Sequence, residues 1–137
     1  MTAVSGQSTR HLYDSTDSLL RFAMRADATL TGLGGLAVAF VADPLSSMTG
    51  LSSLQEYTLG ALFVLYGLVV FSLAALPNLR RAGIGVVIAN VLCTVAALVA
   101  AEVVPLTAMG VAATLGTGAY TAVFAGLQYL GVRRLGG

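Results

Sequence analysis

The sequence predicts an all-α, polytopic membrane protein, a four-transmembrane-helix bundle with both termini cytoplasmic. Three observations lead there. Of 137 residues, 57% are apolar and only 9% charged, with a mean hydropathy of +0.88, whereas a soluble domain carries about 25% charged residues. Seven basic and six acidic side chains cannot cover a water-soluble protein of this size, so most of the surface is expected to face lipid. The basic residues, all of them Arg, fall in three groups: Arg10, Arg21 and Arg25, then Arg80 and Arg81, then Arg133 and Arg134. Residues 26–79 and 82–132 contain no Arg or Lys, and each gap fits two spans of ~20 residues with a turn between them. Positive residues stay in the cytoplasm, so each gap leads out and back. Arg21, Arg25, Arg80, Arg81, Arg133 and Arg134 thus set the topology of a multi-pass protein of the plasma membrane.

The elements follow in order. Residues 1–18 read as a polar cytoplasmic tail, and 19–134 as the transmembrane domain. No cleavable signal peptide is expected, because Asp14 and Asp17 lie where an apolar core would be needed. The first span covers about 19–42 and stops at Asp43-Pro44. Its uncharged part, 28–42, is only ~22 Å long and cannot cross a ~30 Å hydrocarbon core, so the helix extends back through Arg25 and Asp27. Thr16 or Asp17 is the expected N-cap, with Asp17 placed i,i+4 from Arg21. DPLSSMTGLSSLQ, residues 43–55, reads as an outer loop. The second span covers about 56–76, ended by Pro77-Asn78, and the third about 82–101, ended by Glu102. The fourth, about 105–132, opens on Pro105, a residue suited to a first helical turn, and leaves 135–137 as a short tail. Tyr57 and Tyr129 fall at span ends, where aromatic rings suit the headgroup layer. Leu59-Gly60 and Leu115-Gly116, each upstream of an Arg pair, echo one another as a duplicated hairpin would.

Several function classes drop out. A net charge of +1 without a basic patch excludes nucleic acid as a partner. Cys93 is the only cysteine and His11 the only histidine, so no disulfide, cysteine cluster or histidine metal site is expected. His11 lies in the tail and no GxSxG motif accompanies it, so a Ser–His–Asp enzyme is not expected. GLGGL, residues 32–36, sits in an apolar span and follows no strand, so it is not a phosphate loop. Cys93 reads as a small core residue. The reading is a non-enzymatic protein with no cofactor.

The candidate site is a polar layer inside the spans. Asp27 lies about 9 Å deeper than Arg21 along its helix. Asn90 in the third span and Gln128 in the fourth fall at similar depth from the same side. An ionised acid at the centre of a span costs about 2.5–3.5 kcal/mol, so an intramembrane Asp is a functional candidate that needs a partner. The partners on offer are Asn90 and Gln128 as donors, or Arg80, Arg81 or Arg133 as a counter-charge. The alternative is an Asp27 solvated near the interface and favoured by the helix dipole, with Asn90 and Gln128 as interhelical contacts worth ~0.6 kcal/mol each. Glu56 and Glu102 fall at outer helix ends, where water is expected to reach them. Small residues form packing stripes: Ala28, Gly32, Gly35 and Ala39 on the first span, and Gly118, Ala122 and Gly126 on the fourth, beside Thr114, Thr117 and Thr121. Such stripes allow close helix contact, either within one bundle or with a second protein.

LLRFAMRADATLTGLGGL (19–36), with the Asn in the third span and the LQYLGVRR ending (127–134), resembles small actinobacterial-type four-helix membrane proteins and, distantly, the DoxX-like proteins. That resemblance implies a four-helix bundle and a helper role in a membrane redox system. It carries over no catalytic residue, and the basic residue that often follows the glycine pair in DoxX-like proteins is replaced by Leu36-Ala37. Two functions remain. One is an interaction or accessory subunit, a homo-oligomer or part of a larger membrane complex. The other is a small proton- or cation-coupled transporter or channel with Asp27 as its intramembrane site.

Overall fold

A computed structural model describes residues 16–136. Residues 1–15, which include Arg10, His11 and Asp14, lie outside the described residues, as does Gly137. Among the described residues the chain forms five helices and no strand: α1 (Ser18–Phe40), α2 (Ala42–Thr49), α3 (Ser53–Leu73), α4 (Arg80–Val103) and α5 (Ala108–Gly136). α3, α4 and α5 are each long and apolar enough to cross a membrane, and α1 with α2 makes a fourth candidate, bent by 91° between them.

The region expected to be an outer loop is largely helical. α2 forms because Pro44 falls in its first turn, where the missing N–H would have had no intrahelical partner. It ends at Gly50, whose φ of 91° is the left-handed C-cap that glycine adopts without strain. Ser52 then caps α3 with a full capping box: its hydroxyl accepts from the Gln55 N–H, and the Gln55 side chain accepts from the Ser52 N–H. α3 therefore starts three residues earlier than the apolar run suggests. At the far end of the chain α5 starts at Ala108, so Pro105 precedes the helix. Thr107 plays the capping part instead, accepting from the Gly110 N–H at 3.0 Å. α5 continues to Gly136, with Arg133 and Arg134 in its last turn, where cations suit the helix dipole.

Contacts fix the direction of each helix. α1 packs along α3, α4 along α5, and α1 also along α5. At one end Leu20 meets Gly83 and Gly131. There the Arg21 guanidinium pairs with Asp17 at 2.9 Å and donates to the carbonyls of Ala74 and Leu76, which follow the last turn of α3. Arg21 therefore closes a helix end as well as carrying charge. At the other end Thr107 N–H donates to the Thr49 carbonyl, and Gly50 lies against Pro105 and Leu106. The four long helices thus alternate in direction, with all described arginines at one end.

The buried apolar cluster is small, built around Leu20, Met24, Ala28, Val70, Leu79 and Val86, while large side chains such as Phe22, Leu33, Leu68 and Leu92 are exposed. Lipid is as apolar as leucine, so close packing must hold the helices together. The first stripe does this against α3. A Cβ on Gly35 would sit 2.6 Å from the Gly60 carbonyl oxygen, and one on Gly67 2.6 Å from the Ala28 carbonyl oxygen. Gly34, by contrast, faces open space. Gly67→Leu is expected to lower unfolding stability in detergent by about 1–3 kcal/mol through overpacking, while Gly34→Ala leaves the denaturation midpoint unchanged or slightly raised. Equal effects would contradict the α1–α3 contact.

Candidate functional site: a buried carboxylate held by four helices

Asp27 is fully buried, at 0% exposure. Its position midway along α1 and on the inner face gives it no water, so the solvated arrangement is ruled out by packing. Five side chains surround its carboxylate at hydrogen-bonding distance and supply four or five donors. Oδ2 accepts from the Tyr66 hydroxyl at 2.7 Å, the Gln128 Nε2 at 2.9 Å and the Asn90 Nδ2 at 3.0 Å. Oδ1 accepts from the Thr31 hydroxyl at 3.0 Å and the Tyr120 hydroxyl at 3.1 Å. The Thr31 and Tyr120 hydroxyls also lie 2.9 Å apart; each has a single proton, so when one donates to the other only that other donates to Oδ1, and the second Asn90 amide proton is directed to Gln128 Oε1 at 2.7 Å. Asp27 and Thr31 come from α1, Tyr66 from α3, Asn90 from α4, and Tyr120 and Gln128 from α5.

The structure therefore brings Asp27, Asn90 and Gln128 into direct contact. The counter-charge considered for Asp27 is absent among the described residues: the arginines sit at the bundle end, and neither Arg80, Arg81 nor Arg133 bonds to it. Arg133 instead lies 5.9 Å from the Tyr129 ring centroid. Neutral donors take the counter-charge's place, as they can for an acceptor-only group with about four lone-pair sites. No fully buried side-chain N or O atom among the described residues lacks a partner. Tyr66, Tyr120 and Thr31 escaped the sequence reading. Thr31 was detectable, being i+4 from Asp27 and so on the same helix face. The tyrosines carried no such signal, because in a span their rings count as apolar.

Other expected positions divide. Gly32 and Gly35 face α3, whereas on α5 only Gly118 packs inward, against Ala97 and Thr94. Ala122 is exposed and Gly126 has nothing within contact distance, so both face away from the bundle. Thr121 bonds to Thr94 at 2.7 Å, but Thr114 and Thr117 donate to carbonyls of their own helix. Cys93 is exposed and is not a core residue. Glu102 is exposed, but Glu56 is only 3% exposed, because α2 folds back over it and Thr49 donates to it at 2.6 Å. Among the described residues no group of three or more His, Cys, Asp or Glu side chains could hold a metal ion.

The fold and site define an all-helical bundle with three or four helices able to cross a membrane and an Asp-centred polar network inside it. Compared with known proteins, the chain matches no family model, no curated protein and no solved structure.

An amide at Asp27 would set N–H against N–H and leave buried donors unmet. Asp27→Asn is therefore expected to destabilise the bundle by about 1–3 kcal/mol, more than Tyr66→Phe at about 1 kcal/mol, as read from unfolding midpoints in detergent. A neutral Asp27→Asn would contradict the network.

Proposed function

We propose that the protein is a four-span plasma-membrane protein, with both termini cytoplasmic, that serves as a non-enzymatic interaction or accessory subunit. The observation that carries this reading is the saturation of Asp27. A carboxylate whose about four acceptor sites are met by four or five side-chain donors has no vacant site for a substrate or coupling ion, and such a centre serves as an internal clasp. What remains for function is the lateral surface. On α5, Ala122 and Gly126, one turn apart, point away from the bundle with little or nothing against them, a small-residue pair that lets another helix approach closely. The partner is a second copy or a larger membrane complex; the DoxX-like layout favours a redox assembly.

Two experiments test the reading. In mild detergent the native mass is expected to exceed one chain, and Ala122→Ile or Gly126→Ile to reduce it to one chain without loss of helicity. Gly118→Ile instead is expected to damage the bundle itself. A wild-type monomer without companions, together with an Asp27→Asn variant that folds but loses a pH-dependent flux, would favour the transporter. For topology, in a Cys93→Ser background, an impermeant thiol reagent should label Ser47→Cys in intact cells and Asn78→Cys only after permeabilisation. Labelling of both from one side would contradict four spans.

A further inference from the structure

At the end of the bundle opposite the arginines, a cavity of about 380 Å³ separates the α1–α3 hairpin from the α4–α5 hairpin. Its size lies within the range of small-molecule sites, about 300–1,000 Å³. The walls are apolar, with Leu59 and Phe63 from α3, Ala96 and Ala100 from α4 and Ala113 from α5. From Glu56 to Phe63 it follows α3 for about 10 Å, and it ends one helical turn short of Tyr66 and Asn90, at Phe63 and Cys93.

Glu56 is the one charged residue lining this cavity. It is 97% buried, the complement of its 3% exposure. Thr49 donates to Oε1 at 2.6 Å; no fully enclosed side-chain oxygen among the described residues lacks a partner, so Oε2, which no described donor meets, is the part of the side chain left open to the cavity. The neighbouring hydroxyls cannot help: Thr114 and Thr117 donate to Gly110 and Ala113 carbonyls. The other described charges near this end, Asp43 and Glu102, are acids too and are exposed. A carboxylate at the mouth of an apolar cavity with no cation beside it is a ready acceptor, and a ligand bearing an N–H cation would meet its open oxygen with a charge-assisted bond.

We propose that this cavity binds an amphiphile with a primary ammonium head, the head on Glu56 Oε2 and one apolar chain along Phe63 and the α4 alanines. The chemistry could come from a free alkylamine or from the aminoethyl head of a phosphatidylethanolamine. The site is separate from the α5 pair and does not rest on the subunit reading.

The test is native mass spectrometry of the full chain released from detergent, with n-decylamine as probe and n-decanol and decyltrimethylammonium as controls. One decylammonium per chain is expected, with both controls retained at least tenfold less. Glu56→Gln keeps an acceptor for Thr49 and is expected to weaken retention at least tenfold. Ala96→Phe, which fills the cavity but keeps the charge, should do the same. Phosphatidylethanolamine that co-purifies and is displaced by decylamine would identify the membrane lipid as the source, and its absence with intact decylamine binding a free amine. Equal retention of decanol, or unchanged binding in a folded Glu56→Gln variant, would overturn the proposal.

Discussion

The arrangement depends on one carboxylate. Asp27 is dry, and a dry acid without a cation must be met by donors from several directions. Those donors come from α1, α3, α4 and α5. Each helix is therefore held in rotation and in depth: a quarter turn of α5 would remove Gln128 and Tyr120 together, and a one-residue slide of α3 would carry the Tyr66 hydroxyl out of range. Beyond the glycine contacts of α1 and α3, few features could impose this, because the faces turned outward are mostly apolar and lipid discriminates little among them. The polar network supplies the specificity, and the cost of dehydrating the acid is offset only when all the helices are in register.

Close packing and polar contact divide the work along the bundle. In the α1–α3 hairpin the backbones meet directly, glycine against glycine, so the contact is steric and leaves little freedom. At the arginine end Arg21 satisfies the carbonyls at the end of α3, and at the other end Thr107 ties the start of α5 to α2. Between the two hairpins, contact is made mostly by α1 on α5, with α1 and α4 touching little. That uneven packing leaves room for the cavity on one side of the Asp27 layer. Binding in the cavity would bear on the same two hairpins that Asp27 joins.

Much of this was legible in the sequence, for physical reasons that can be named. Hydrophobic runs broken by Pro77-Asn78 and bracketed by arginine groups locate three helices apolar enough to cross a membrane and a fourth candidate in α1 with α2, because lipid exposure demands continuous apolar stretches. Depth was legible as well, since rise per residue is fixed; hence Asp27, Asn90 and Gln128 could be placed in one layer. Azimuth was not. With residues apolar all round each span, helical periodicity has no polar face to register against, so convergence on Asp27 and the outward turn of Ala122 and Gly126 had no signal. α2 was missed because Asp43-Pro44 stops one helix as readily as it starts another. Glu56 was misjudged for the same reason, as its burial is caused by α2 folding back over the outer end.

The most direct test of the Asp27 clasp is a double-mutant cycle between Asp27→Ala and Gln128→Ala, read from reversible unfolding in mixed micelles. If the carboxylate is the common hub, Gln128→Ala costs stability in the wild type but little once Asp27 is gone, giving a coupling of about 1 kcal/mol or more. Strictly additive effects would mean that the two residues contribute separately and that the helices are held in register by packing alone.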